Sequence, residues 1–125
     1  KAKGYLCIVV SNQPDVARGM IKKSVLDKMT TTLYQNFELD DVFYCIHDDP
    51  DKTGCRKPAP GMIYKAKKKW NIDLGKSIMI GDSEKDLGTA INAGVRFFLL
   101  DRDYNQSLNV NNRINKVVDI LQYLN

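Results

Sequence analysis

The sequence predicts an α/β domain: a parallel β-sheet with helices packed on both faces. Three observations lead there. Short, nearly continuous apolar runs alternate with longer segments of helical periodicity. The runs are brief and bounded, as strands buried on both faces of a parallel sheet are. Three polar, loop-like stretches each lie at the end of such a run: SNQPDVARG (Ser11 to Gly19), CIHDDPDKTGCRKPAPGM (Cys45 to Met62) and IMIGDSEKD (Ile78 to Asp86). A strand–helix–strand rhythm implies parallel pairing, and such sheets bind ligands beyond the carboxyl ends of their strands.

The elements follow in order. Tyr5 to Val10 (YLCIVV) reads as the first strand. Lys22 to Gln35 reads as a helix that puts Val25, Leu26, Met29 and Leu33 on one face. Asp41 to Cys45 (DVFYC) is the second strand. Pro58 and Pro60 punctuate a loop, after which Gly61 to Trp70 is a helix with Met62, Ile63, Ala66 and Trp70 facing inward. Ser77 to Ile80 is the third strand. Ser83 or Asp82 can cap a helix from Glu84 to Ala93, and Gly94 closes it. Val95 to Leu100 is the fourth strand. Ile114 to Leu124 reads as a last amphipathic helix with Ile114, Val117, Val118, Leu121 and Leu124 on one stripe. No internal repeat or linker interrupts residues 1–125, which read as one domain.

The bulk properties exclude several classes. A chain of 125 residues supports one real core, and 43% hydrophobic with 27% charged residues is ordinary for a globular protein. No apolar run approaches the roughly 20 residues of a membrane span. The net charge of +4 is mild. It is consistent with anionic substrates but is weak evidence for them, and Lys65, Lys67, Lys68 and Lys69 read as a solvated helix face rather than a nucleic-acid patch, so neither nucleic acid nor a membrane is expected as a partner. The three cysteines, an odd number, argue against a disulfide framework and for a reducing, cytoplasmic compartment. The opening Lys1-Ala2-Lys3-Gly4 has no initiator Met and reads as the interior of a longer protein. Nothing fixes an oligomeric state; a monomer is the default reading.

The polar segments carry the chemistry. Ser11, Asn12 and Gln13 follow a strand, where a hydroxyl and backbone N–H groups can bind a phosphoryl oxygen; alone, they read equally as a polar turn. Arg18 lies behind them and could grip a second anionic group in bidentate fashion. Arg56-Lys57-Pro58 opens a loop before a helix, where a Lys can neutralise phosphate and hold a carboxylate; alone, it is a surface turn. Gly81-Asp82 with Asp86 places two carboxylates on one helix face at a strand end. Mg²⁺ usually takes one or two protein carboxylates plus substrate phosphate. Alone, the pair reads as a cap and a surface charge.

Taken together, Ser11, Lys57 and Asp82 with Asp86 resemble motifs II, III and IV of the haloacid dehalogenase (HAD) phosphatases. SNQPDVARG resembles the TNQ-x-x-IARG segment of the heptose 1,7-bisphosphate and histidinol-phosphate phosphatases. CRKPAPGM resembles their CRKP-x-PGM, and IMIGDSEKDLGTAINAGV their GD-x-x-x-D-x-x-A-x-x-AG. The resemblance spans nearly the whole chain. It implies a Rossmann-like HAD core and Mg²⁺-assisted hydrolysis of a small phosphate monoester, of sugar-bisphosphate or histidinol-phosphate type. By the same resemblance Ser11 binds the transferring phosphoryl group and Lys57 holds phosphate and nucleophile. Asp82 ligates Mg²⁺, Asp86 orients Lys57 or the metal shell, and Asn12, Arg18 and Arg56 are candidates for substrate binding.

Two departures stand out. The relatives carry a Zn²⁺ loop of Cys-x-His, a spacer and Cys-x-Cys. Here Cys45, His47 and Cys55 remain, while Thr53 replaces a cysteine. Structural zinc takes four ligands, so Asp48 or Asp49 completes the shell or the site is empty, and Zn²⁺ is expected to bind poorly. The second departure is the family's nucleophile, the first Asp of a D-x-D motif at the end of an earlier strand. It is expected upstream, in a strand and helix missing from these 125 residues, so the domain reads as truncated and inactive alone. Leu100-Asp101-Arg102-Asp103 imitates the motif but follows the AGV step after motif IV and reads as a loop. Two other readings remain: a polynucleotide 3′-phosphatase-like domain, disfavoured by the Cys/His loop, and a non-catalytic HAD-like interaction module, disfavoured by the retained phosphate set.

Overall fold

Strands and helices alternate from β1 (Ile8–Asn12) through α1 (Lys23–Asn36), β2 (Asp41–Cys45), α2 (Gly61–Trp70), β3 (Ile78–Gly81), α3 (Glu84–Ala93) and β4 (Arg96–Leu100) to a short β5 (Arg113–Ile114). The computed structural model describes residues 4–12, 19, 22–46 and 54–124. All of its strand pairs are parallel, as the alternation requires.

The expected single sheet is found as two. β1 pairs with β2, from Ile8 opposite Asp41 to Asn12 opposite Cys45. β3, β4 and β5 form a second sheet with β4 in the middle. Among the described residues, β1 and β3 each pair on one side only. The first strand also starts later than its apolar run. The Cys7 amide donates to the Asp40 carboxylate at 2.7 Å, and the Asp40 amide donates to the Cys7 carbonyl at 2.8 Å. These bonds close the pair just ahead of the Ile8–Asp41 register.

Burial follows this arrangement. Phe97, Phe98 and Leu99 of the central strand β4 are consecutive and all buried, the mark of a strand covered on both faces. Met79, Ala90, Phe97 and Leu99 form one apolar cluster, and Cys45, Cys55 and Met62 form another. Val10 of β1 packs against both, so the two sheets share one interior without a ladder between them. On α2, Met62 and Ala66 are buried as expected. Lys65, Lys67, Lys68 and Lys69 form the expected exposed face, and the Lys69 ammonium also lies 2.7 Å from the Asp41 carboxylate, which accepts from the Trp70 indole at 2.9 Å.

Two apolar faces differ from expectation. Of the four apolar residues expected inward on α1, Leu26 is buried, Leu33 is half-buried, and Val25 and Met29 are exposed. The final amphipathic α-helix does not form. Ile114 instead enters β5 opposite Leu100, with the Asp101 amide donating to its carbonyl at 2.8 Å. The following Val117–Tyr123 segment is a 3₁₀ helix, started by the Lys116 amide donating to Asp119 at 3.0 Å. The tighter three-residue winding rotates the α-helical stripe off the core. Tyr123 rests on Phe98, with ring centroids 4.7 Å apart, whereas Val118 is 60% exposed.

Phe98→Ala should therefore cost about 3–5 kcal/mol of stability, and Val118→Ala no more than about 0.5 kcal/mol. Urea unfolding of both variants checks this; a Val118→Ala cost near that of Phe98→Ala would restore the α-helical stripe.

Candidate active site

The site is assembled where β1 and β3 end. Asn12, the last residue of β1, holds the main chain of Lys57: its Oδ1 accepts from the Lys57 amide at 2.9 Å and its Nδ2 donates to the Lys57 carbonyl at 3.4 Å. The sequence reading made Asn12 a substrate-binding candidate; its side-chain amide also holds the main chain of Lys57. The Lys57–Pro58 peptide is cis. The Pro58 carbonyl accepts from the Asn92 side chain of α3 at 2.9 Å.

From this anchored backbone the Lys57 ammonium reaches Asp86 Oδ1 at 2.5 Å. Asp86 is 6% exposed, and its other oxygen accepts from the Ser83 hydroxyl at 3.0 Å and the Asp82 amide at 3.1 Å. Ser83 is also the helix cap, its Oγ accepting from the Asp86 amide at 3.2 Å. Burial alone would raise the Asp86 carboxyl. The hydrogen bond and charge of Lys57, with Ser83 and the Asp82 amide, outweigh it and hold the group below its ordinary value. Two glycines permit this approach. A Cβ on Gly81 would stand 2.4 Å from Asp86 Cβ, and one on Gly88 would stand 2.7 Å from Pro58 Cβ.

Asp82, half-buried, follows Gly81. Its Oδ2 accepts from the Tyr104 hydroxyl at 2.5 Å, and its carbonyl accepts from Asn105 Nδ2 at 3.0 Å. The hydrogen bond to Asp82, with some desolvation and the charge of Asp82, pushes the Tyr104 phenol above its ordinary value, so it is a donor at neutral pH. Neither Tyr104 nor Asn105 was singled out by sequence reasoning, which dismissed Asp101 because it follows the AGV step. That dismissal agrees with the geometry: Asp101 Oδ1 accepts from Arg113 at 2.7 Å and Gln106 at 2.8 Å.

Ser11 lies in β1 beside Asn12, paired with Tyr44, and Arg56 precedes Lys57, half-buried. Arg18 and His47 fall outside the described residues, as do Gln13, Asp48, Asp49 and Thr53. The cysteine reading needs correction. Cys45 at the end of β2 and Cys55 are joined by a disulfide, with Cα atoms 5.5 Å apart, and both are buried beside Met62. An odd cysteine count left room for one bond, with Cys7 the free, exposed residue. The count therefore carries no argument for a reducing or cytoplasmic setting. Their sulfurs are bonded to each other here, and His47, the third residue of the zinc-loop reading, lies outside the described residues. Among the described residues no cluster of three or more His, Cys, Asp or Glu side chains could hold a metal, and no helix is long and apolar enough to cross a membrane.

A parallel α/β fold with Lys57, Asp82 and Asp86 gathered at its strand ends defines a phosphohydrolase-type class. A family model described as HAD-hydrolase-like matches residues 54–124, and the chain belongs to that family. It is 34% identical over 106 residues to D-glycero-beta-D-manno-heptose-1,7-bisphosphate 7-phosphatase of Helicobacter pylori, covering 80% of this chain and 61% of that protein. The enzyme of the same name from Haemophilus ducreyi is 32% identical over 140 residues, covering 98% of this chain and 77% of the relative. Among solved structures, the D,D-heptose 1,7-bisphosphate phosphatase of B. bronchiseptica complexed with magnesium and phosphate aligns with a TM-score of 0.65 and 33% identity, covering 75% of this chain and 55% of that one. The chain spans about three fifths of the length of several of these relatives.

Because Asp86 sits below its ordinary value when folded, it adds stability above the usual carboxylate range, and that stability is lost as pH falls through its folded value. Asp86→Asn should cost roughly 3 kcal/mol at pH 7. The gap from wild type should narrow below about pH 4. Denaturant unfolding across pH checks this; a gap constant down to pH 3 would place the effect elsewhere than the ion pair.

Proposed function

We propose that this chain supplies the phosphate-holding and cation-holding part of a phosphatase that hydrolyses a small phosphate monoester, with a heptose bisphosphate as the best candidate substrate. One observation carries the reading: the Lys57 ammonium, held by Asp86, is tied through it to the Asp82 amide at a strand end. The named activities of the relatives support it. A role in carbohydrate metabolism follows from the same names.

The donor set of the site suits Mg²⁺. Asp86 is occupied by Lys57, Ser83 and the Asp82 amide. Asp82 keeps Oδ1 without a partner among the described residues, a single hard oxygen of the kind Mg²⁺ accepts beside phosphate and water. A bound Mg²⁺ would neutralise charge on the phosphoryl oxygens and steady the leaving and attacking groups. Lys57 would offer its ammonium to the same oxygens while Asn12 and Asp86 keep it from swinging away. Ser11 and nearby amides would bind another phosphoryl oxygen. No residue of this set accepts the phosphoryl group. An aspartate outside these 125 residues would take that role: its carboxylate would attack phosphorus, the sugar oxygen would leave and take up a proton from an acid or solvent, and water would then cleave the acyl phosphate to free phosphate and the carboxylate. β1 and β3 each pair on one side only, which leaves edges a strand bearing that aspartate could join. Zinc enters no step.

The test is phosphate release by the full-length gene product from D-glycero-β-D-manno-heptose 1,7-bisphosphate, with a 3′-phosphorylated oligonucleotide as rival substrate. Mg²⁺-dependent release from the sugar is expected, reduced about 10²-fold or more by Asp82→Asn and by Lys57→Ala. Residues 1–125 alone should release nothing above background. Release from the oligonucleotide alone would change the substrate class. No release from either by a folded protein would leave an interaction module as the better reading.

A further inference from the structure

Resting on the reading of Asp82 as a cation ligand, we infer that Tyr104 and Asn105 form a clamp that positions Asp82 for the divalent cation. They act on it from the short 3₁₀ turn Asp103–Asn105 that follows β4.

Asn105 fixes the main chain. It is 2% exposed, and its whole amide group is engaged. Nδ2 donates to the carbonyls of Asp82 at 3.0 Å and Leu100 at 2.8 Å. Oδ1 accepts from the Arg102 amide at 3.0 Å and from Arg113 Nη1 at 3.4 Å. Asp82 follows β3 and Leu100 ends β4, so one buried side chain ties together the carboxyl ends of two adjacent strands. Arg113 holds the turn in place, with Nη2 donating to the carbonyls of Asn105 at 3.2 Å and Leu108 at 2.8 Å.

Tyr104 fixes the carboxylate. Its ring is in solvent, the residue being 68% exposed, yet its hydroxyl donates to Asp82 Oδ2. With Oδ2 so held, the carboxylate cannot rotate freely, and Oδ1, which has no partner among the described residues, is left for the cation. A ligating carboxylate held by an outer hydrogen bond binds its metal more tightly than one that must first be ordered, typically by 10–100-fold. Tyr104 and Asn105 are therefore positioning residues: neither touches phosphate or cation.

The experiment is calorimetric titration of MgCl₂ into the full-length protein with inorganic phosphate present, together with thermal unfolding. Tyr104→Phe should weaken Mg²⁺ about 10-fold and leave the unfolding midpoint unchanged, since the ring is exposed. Asn105→Ala should weaken Mg²⁺ and also lower the midpoint. Affinity of Tyr104→Phe within twofold of wild type overturns the clamp, and so does tighter binding, which would make the phenol a competitor of the cation. Wild type that binds Mg²⁺ no better than Asp82→Asn overturns the cation-site reading itself, and the clamp with it. Intact, Asp82-dependent binding insensitive to Tyr104 overturns the clamp alone.

Discussion

The Lys57–Asp86 pair is the interaction on which the rest of the site depends. It joins three parts of the chain that are distant in sequence: the end of β1 through Asn12, the loop before α2, and the first turn of α3. A largely buried ion pair is not stabilising by default, because two charges must leave water. Here the cost is offset by full satisfaction of the carboxylate, which takes Lys57 on one oxygen and Ser83 and the Asp82 amide on the other. The same bonds align Asp82, since its amide is one of the donors. Packing permits the arrangement only because Gly81 and Gly88 lack side chains where Asp86 and Pro58 press in.

Legibility in the sequence followed the range of the interaction. β2, α2 and α3 have the same bounds as their sequence patterns because each is decided locally: an apolar run, a proline or serine at the start, and Asn71 or Gly94 in the left-handed conformation at the helix ends. Lys57, Asp82 and Asp86 were readable from residue type and position after strands. The last segment was not. Its α-helical periodicity was real, but pairing of Ile114 with Leu100 and capping by Asp119 set the backbone first. The roles of Asn12, Asn105 and Arg113 were equally invisible, because they are bonds to main-chain atoms many residues away and leave no periodic trace. For the cysteines the shared loop of Cys45 and Cys55 was legible and their proximity followed, whereas a count alone could not say whether their sulfurs join.

Charge and topology make the same demand of this site. Lys57 is compensated by Asp86, so the group left over is Asp82, whose only described partners on the carboxylate is a neutral phenol. A phosphate brought here would meet the Asp82 carboxylate as well as the Lys57 ammonium, which is already shared with Asp86. The divalent cation proposed at Asp82 would resolve the repulsion, so the fit to Mg²⁺ rests on donor chemistry rather than on counting ligands. The cation in turn calls for further oxygens, and the described residues gather no third carboxylate to supply them. The sheet is interrupted at the same place, between β1 and β3, whose ends carry Asn12 and Asp82. One additional strand ending in an aspartate would complete the sheet, bring an oxygen to the cation, and provide the acceptor for the phosphoryl group. The proposed phosphatase chemistry thus asks for an acceptor carboxylate and a further oxygen for the cation at the same strand ends where β1 and β3 present free edges among the described residues.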